Sequence, residues 1–446
     1  MSLPISVSTS YRQPESSHII IIPEVLSLIF LQSYYASHNY RFGTIRSREA
    51  PLIFLQICKR WSAVALATPE LWSSLGYKLS HVGEKSNRDA VMINQWLARA
   101  KACPLWLKLR TSSDFDQSSH PVLETFIFHS RRWRHVDFAL PPSVFPALNA
   151  VKGSLPLLRT LEFTLPDFFS IDAPRLDAFG GASSLRSLAL LQNTIRPRMV
   201  EIPWLQLTQC SICVDTEGLD IFHCLYNIAK LTLTFNLDAT LPPSHFEPPT
   251  RLPFLRTLSI TCLRMSNPAS FWNGLIVPSL SDINFRRNAG QTNSWAPEIY
   301  PFISRWASTI RRLTLCNAHL ADDELVRCIR EITLLEKLEI DEEGRSDYVS
   351  NDFMRLLQFD PDSSPCLAPK LQYIGFKGFY YLFDDNVFMD MVASRWRPLL
   401  VSGDAAHQVS CLKAVMLRPQ RALDRQVVNH LDKLKEEGLG VFIFGN

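Results

Sequence analysis

This sequence has no uninterrupted apolar run approaching the roughly 18 residues that a membrane-spanning helix needs. Its greasiest segment, Ile19 to Leu31, is broken by Pro23 and Glu24. Met1 to His18 lacks the basic start and apolar middle of a signal peptide. It reads as a disordered polar leader on an intracellular chain, with no membrane as partner. There is no Asn-X-Ser/Thr sequon. The 10 cysteines sit mostly inside apolar patterns such as Leu55-Gln-Ile-Cys58 and Leu315-Cys316, so they read as reduced, buried thiols. Nor is one sign of charge in strong excess. The 46 basic and 43 acidic side chains leave +3, too little for phosphate neutralisation to organise the protein, so nucleic acid is not an expected partner.

Catalytic signatures are missing as well. No Gly-rich phosphate loop, Gly-x-Ser-x-Gly elbow or His-Glu-x-x-His pair occurs, and the 11 histidines form no constellation. One spacing suggests metal: Cys210-Ser-Ile-Cys213, followed by His223 and Cys224. However, residues 210 and 212 occupy the inward slots of a strand pattern. That points Cys213 to the opposite face, where the two thiolates cannot share one tetrahedral ion. Neither metal nor cofactor is expected. Asp341-Glu-Glu343, behind a predicted strand, reads as a solvated turn.

What is present is ordinary globular composition, 46% hydrophobic and 20% charged over 446 residues, ample for a large core. Behind the leader, Ile22-Pro23-Glu24 predicts a helix start: proline costs nothing in the first turn, and Glu24 complements the positive helix end. Val25, Leu26, Ile29 and Phe30 then recur on one stripe. Tyr34 to Arg48 reads as a loop. A second helix is predicted from about Pro51, carrying Leu52, Leu55, Cys58, Trp61 and Ala65 at three- and four-residue steps. Thr68-Pro69-Glu70-Leu71-Trp72 predicts a short third helix capped by Thr68. A unit this small buries only about 60% of its unfolded surface and needs neighbours.

The string Ile22-Pro23-Glu24-Val25-Leu26-Ser-Leu-Ile29-Phe30, a spacer, Ile57-Cys58-Lys59-Arg60-Trp61, Ala65 and Thr68-Pro69-Glu70-Leu71-Trp72 resembles the F-box family. That family opens on a Leu-Pro-x-Glu-like string, here with Ile22 in the leucine's place. It continues with a Val-Cys-(Lys/Arg)-Arg-Trp segment and a late Leu-Trp pair. The resemblance implies three helices, over residues 19–80, that dock on the Skp-type adaptor of a cullin–RING ubiquitin ligase. Position by position, it implies that Pro23, Glu24, Leu26 and Ile29 meet the adaptor from the first helix. Cys58, Trp61, Leu71 and Trp72 would build or touch the interface core. The spacer, Leu31 to Pro51, is long and resembles the longer loop of fungal members.

From residue 133 onward a template recurs: apolar, two residues, apolar, one residue, apolar. Clear copies are Leu158-Arg-Thr-Leu161-Glu-Phe163, Leu185-Arg-Ser-Leu188-Ala-Leu190, Leu255-Arg-Thr-Leu258-Ser-Ile260 and Leu335-Glu-Lys-Leu338-Glu-Ile340. Eleven copies start at 133, 158, 185, 207, 228, 255, 280, 310, 335, 371 and 412, mostly 21 to 30 residues apart. The period-2 ending predicts a strand with apolar residues inward, and prolines such as Pro156, Pro253, Pro278 and Pro369 mark the turn into it. The pattern is similar to irregular leucine-rich repeats, although the asparagine that often follows the template is mostly absent.

The expected architecture is α/β: a three-helix unit at 19–80, a linking helix and first strand at 81–130, and a leucine-rich-repeat-like solenoid at 131–446. Its parallel strands would lie on the concave face, with a C-terminal cap from Val427 onward. Outward strand positions would line up there, and Asp282, Asn284, Arg286, Arg312, Lys337, Glu339, Tyr373 and Lys377 are the candidate contacts for a protein target. The expected function is substrate reception for an SCF-type ubiquitin ligase without catalytic residues. The rivals are a repeat scaffold whose front helices only cap the array, and an enzyme built on a repeat frame.

Overall fold

The computed structural model describes residues 22–36, 48–112, 115–164, 174–191, 199–214, 219–235, 249–263, 269–288, 294–344, 349–360, 366–379, 384–396, 409–418 and 422–444. The leader at 1–18 and most of the long spacer lie outside them.

Sixteen strands follow one another among the described residues. They are β1 (Ser74–Leu79), β2 (Leu105–Thr111), β3 (Trp133–Ala139), β4 (Thr160–Thr164), β5 (Ser187–Leu191), β6 (Gln209–Val214), β7 (Lys230–Phe235) and β8 (Thr250–Arg251). The series continues with β9 (Thr257–Cys262), β10 (Leu275–Ile276), β11 (Asp282–Arg287), β12 (Arg312–Cys316), β13 (Lys337–Gly344), β14 (Tyr373–Phe379), β15 (Ala414–Arg418) and β16 (Gly440–Ile443). Fourteen of them form one sheet whose spatial order is chain order; β8 and β10 pair with each other alongside. Every pairing in the long sheet is parallel, which makes the chain a solenoid-like stack of strand-and-return units.

The recurring template explains this register. Its middle apolar positions face each other from strand to strand: Leu161, Leu188, Cys210, Leu231, Leu258, Ile283, Leu313, Leu338, Ile374 and Val415. The third positions, Phe163 through Leu417, form a second row beside the first. Both rows are buried, and the residues between them are partly exposed. A one-residue slip would turn both rows to solvent, so the register is strongly determined. The face holding these rows is covered by the returns and the other face is open.

Repeat length sets the return. Among the described residues, the 22- and 21-residue steps behind residues 185 and 207 hold the 3-10 turns Trp204–Gln206 and Leu219–Cys224. The longer steps near the end hold α-helices such as Asp322–Glu331, Asn351–Leu357 and Asp385–Trp396. Where the repeat lacks asparagine, other side chains join consecutive turns. Ser184 Oγ donates to the Pro156 carbonyl, Asn227 Nδ2 to Leu205 and Ser279 Oγ to Pro253, each over 2.7 Å.

The front of the chain departs from the sequence expectation in four places. Helix α1 (Pro23–Ala36) runs past Tyr34, which is buried, so the loop begins later than predicted. The single second helix is two: α2 (Phe54–Ile57) and α3 (Lys59–Ala67), separated by an extended Cys58. Cys58 Sγ accepts the Trp61 N–H at 3.5 Å, satisfying a donor in the first turn of α3. Thr68 does not cap the next turn, Pro69–Trp72; its hydroxyl donates back to Val64 O at 2.8 Å. Finally, the sheet begins at Ser74, inside the segment expected to be helical, so the strand at Leu105 is its second and not its first.

A ladder leucine in mid-sheet bears most directly on stability. Leu258→Ala is expected to lower the unfolding free energy by about 2–5 kcal/mol, read as a reduced urea midpoint. Thr257→Ala, on the open face of the same strand, should change it by less than about 0.5 kcal/mol.

Candidate protein-docking surfaces

At the front, aromatic packing decides which residues are free to meet a partner. Phe30 of α1 stacks on Phe54 with ring centroids 4.2 Å apart and meets Trp61 at 4.9 Å. Trp72 donates from Nε1 to the Ala65 carbonyl at 2.9 Å and packs edge-on against Trp96 of helix α4 (Glu84–Arg99) at 4.9 Å. Arg99 lies over the Trp72 ring at 4.6 Å. Leu26, Leu71 and Trp72 are therefore core, with 2%, 0% and 0% of their surface exposed. The resemblance placed them at an interface, but they have no free surface in this chain. Trp61 is half-buried, and Pro23, Glu24, Ile29 and Cys58 are exposed.

The exposed apolar residues that the resemblance left out of the interface lie beside Ile29. Ile22, Val25 and Leu28 share one side of the first helix with it, at three- and four-residue spacing. Ile57 of α2 and Leu66 of α3 are exposed as well. Leu26, Phe30 and Tyr34 occupy the buried side of α1, so this helix is apolar on both sides. A helix apolar all round belongs in an interior. The predicted stripe of Val25, Leu26, Ile29 and Phe30 straddles the two sides: Leu26 and Phe30 are buried, and Val25 and Ile29 are exposed.

On the open face, the strands bring the predicted residues of β11 to β14 into three adjoining rows. Asp282, Arg312, Lys337 and Tyr373 form the first, Asn284, Thr314, Glu339 and Gly375 the second, and Arg286, Cys316, Asp341 and Lys377 the third. Arg418 extends the third row onto β15. Glu339 is the hub. Lys337 reaches it at 2.9 Å and Lys377 binds its other oxygen. Burial alone would raise the Glu339 pKa, but the hydrogen bonds from Lys377 and Lys337 outweigh it and hold the carboxyl below the usual range. The Lys337 ammonium also lies 4.5 Å over the Tyr373 ring. That ring crosses Gly375, where an added Cβ would stand 3.2 Å from it, and its hydroxyl reaches Met416 Sδ at 3.2 Å. Burial and the Glu339 charge push the Tyr373 phenol up to about 12. Arg312 pairs with Asp282 at 2.8 Å, and Arg286 approaches Asp341 at 3.9 Å.

The opposite end of this face repeats the arrangement on a smaller scale. Lys108 and Arg110 of β2 both bind Asp137 of β3, at 2.9 and 2.8 Å, while Lys78 of β1 stands in register with Arg110. The ring of Trp106 stacks on His135 with centroids 3.3 Å apart. Between the two ends the positions are small and mostly hydroxylic, among them Ser187, Ser211, Thr232 and Ser259, with Glu162 and Lys230 as the charges.

Two chemical expectations meet different outcomes. Cys210 is buried, its thiol pushed up to about 12 by burial, while Cys213 belongs to the open-face row, so the two do point apart. The acidic run at Asp341 is no solvated turn, because Asp341 and Glu342 lie within β13. Glu342 is 2% exposed and accepts the Ala318 and His319 N–H groups at 3.1 Å, with His319 Nδ1 at 3.0 Å. It closes a tight turn in which Asn317 and His319 have positive φ. No helix among the described residues is long and apolar enough to cross a membrane.

Two outcomes follow from this geometry. Trp72→Ala is expected to destabilise the fold by about 3–5 kcal/mol, whereas Ile29→Ala should be within about 0.5 kcal/mol of wild type in a urea titration. Glu339 ionises more readily in the folded chain than in the unfolded one. It therefore stabilises the fold above the unfolded value of about 4.3 and loses that contribution as pH falls through its lower folded value. Glu339→Gln should lower stability at neutral pH and flatten the acid limb of a stability–pH curve.

No family profile matches the chain, and no curated protein matches it. Among solved structures, it is similar to a yeast protein, Rad7, solved in complex with Elc1, at 12% identity and a TM-score of 0.34, over 74% of this chain and 92% of that one. It is also similar to TLR13, solved in complex with ssRNA13, at 14% identity and a TM-score of 0.34, over 65% of this chain. The chain spans about half the length of TLR13, 49%.

Proposed function

We propose that the chain is a substrate receptor of an SCF-type ubiquitin ligase, a member of the F-box family with leucine-rich repeats. In this reading the front helices dock a Skp-type adaptor and, through it, a cullin–RING ligase, while the repeats hold a protein target. The observation that carries it is the second apolar side of α1, where Ile22, Val25, Leu28 and Ile29 stand in solvent next to a fully formed core. Apolar anchors concentrated in a small patch are what a stable interface of roughly 1,600 Å² uses. The residue string that resembles an F-box names the partner. Of the residues implied by that resemblance, Pro23, Glu24, Ile29, Cys58 and Trp61 keep their interface role, while Leu26, Leu71 and Trp72 hold the helices in place. No side chain of this protein takes part in the chemistry. Holding target lysines beside a charged enzyme raises their effective concentration, and tethering supplies the rate.

The capping reading draws support from the Trp72–Trp96 contact, which joins the front helices to the first repeat in one continuous core. The two roles are compatible, because capping uses the inner side of the unit and docking the outer. A pull-down from purified components separates them. Wild type should retain the Skp-type adaptor, and Leu28→Glu with Ile29→Glu should reduce retention more than about tenfold with the thermal melt unchanged. Failure of the wild type to retain the adaptor leaves capping as the sole role.

A further inference from the structure

The chain's small positive surplus is unevenly placed. Among open-face positions in register, nine lysines and arginines stand against five carboxylates, a surplus of four. The whole chain carries +3, so everything off this face sums to slightly acidic. Depth sharpens the asymmetry. In each ion pair on the face the carboxylate is the more buried partner: Asp137 is 9% exposed beneath Lys108 and Arg110 at 37% and 38%. Asp282 is 23% exposed beside Arg312 at 57%, and Asp341 and Glu339 lie below their cations in the same way. A partner approaching from solvent meets ammonium and guanidinium groups first, and their carboxylates hold them in place without covering them.

We propose that this face binds an acidic polypeptide segment of the target, laid across the strands from Lys108 and Arg110 to Lys377 and Arg418. This rests on the reading of the repeats as the target-holding part. The charges form two poles, and the hydroxyl-rich floor between them leaves room for a backbone and offers it hydrogen bonds. From β2 to β15 there are eleven strand-to-strand steps, about 53 Å at the usual spacing, which an extended chain of roughly 16 residues covers. A nucleic acid fits less well. One phosphate per nucleotide would also cross the middle of the face, where Glu162 and Lys230 are the charges, whereas a polypeptide can place uncharged residues there. Along the proposed path the large aromatic rings are engaged, Trp106 by His135 and Tyr373 between Lys337 and Gly375; Phe442, one strand beyond Arg418, is the exposed ring at its edge.

Fluorescence anisotropy on the full chain tests this with a labelled alternating Glu-Ser peptide of about sixteen residues. The comparisons are a Lys-Ser peptide of equal length, a Glu-Ser peptide of about six residues, and oligouridylate of about sixteen nucleotides. The long acidic peptide should bind best, and its affinity should fall at least about tenfold between about 50 and 200 mM salt. Lys230→Glu with Arg418→Glu, exposed residues at separate points of the face, should weaken it about tenfold while thermal melt and adaptor retention stay unchanged. Lys85→Glu with Arg88→Glu on α4, an equal change of charge off the face, should leave it unaltered. Equal or tighter binding of the Lys-Ser peptide or oligouridylate overturns the inference, as does an equal loss in the two charge-reversed pairs. Absent peptide binding with adaptor retention intact overturns it alone and leaves the ligase reading standing.

Discussion

Two rows of aliphatic and aromatic side chains, Leu161 to Val415 and Phe163 to Leu417, run through the protein in unbroken register. No unit of one strand and one return can bury its own share of these rows; each is completed by the strand before and the strand after. The rows therefore fix three things together. They set the parallel order, they place the returns on one side, and they leave the intervening side chains standing side by side on the other. The open face is a by-product of burying the covered one. Its order is inherited, so residues as distant in sequence as Glu339 and Lys377 become neighbours without any direct selection of their contact.

The same logic governs the ends of the array. A stack of this kind needs something to cover its first strand, and here the cover is built from four helical pieces locked by Trp72 between Ala65 and Trp96. That lock divides the front helices into an inner side committed to the array and an outer side left over. An apolar outer side costs solubility, and monomeric proteins seldom keep contiguous exposed patches without a use for them. The stripe from Ile22 to Ile29 is thus the part of the cap that covering the array does not explain.

Much of the fold was legible in sequence because its signal is repeated. Eleven imperfect copies of one template reinforce each other, and all eleven lie on strands in the expected register. The front unit offers no repetition. Its second helix reads as continuous because Leu55, Cys58, Trp61 and Ala65 keep helical spacing across the break, and only the extended backbone at Cys58 reveals two pieces. Leu71 and Trp72 match a motif, yet which side of that motif faces inward depends on Trp96, more than 20 residues away in sequence. Glu342 escaped because a run of three acids usually stands in solvent. Its burial depends on two backbone N–H groups at a positive-φ turn that no local pattern announces. Side-chain direction was legible where the ladder fixed it, and obscure where distant packing did.

Depth strengthens the sign that the count of charges already gives this face. Read as a string, the outward positions of β11 to β15 carry three acids and five bases. In three dimensions the short acids, Asp137, Asp282 and Asp341, end close to the sheet, whereas the long stems of lysine and arginine carry their charges farther out. A strand face that alternates Asp or Glu with Lys or Arg becomes cationic at its outer layer by side-chain length alone. The carboxylates still matter, because each holds its cation in a fixed geometry and so reduces the ordering cost a ligand would otherwise meet. Removing a carboxylate would free the cation above it but also loosen it, whereas removing that cation would expose the acid. The layering therefore links the sign of this face to its rigidity, and both follow from the register that the buried rows impose.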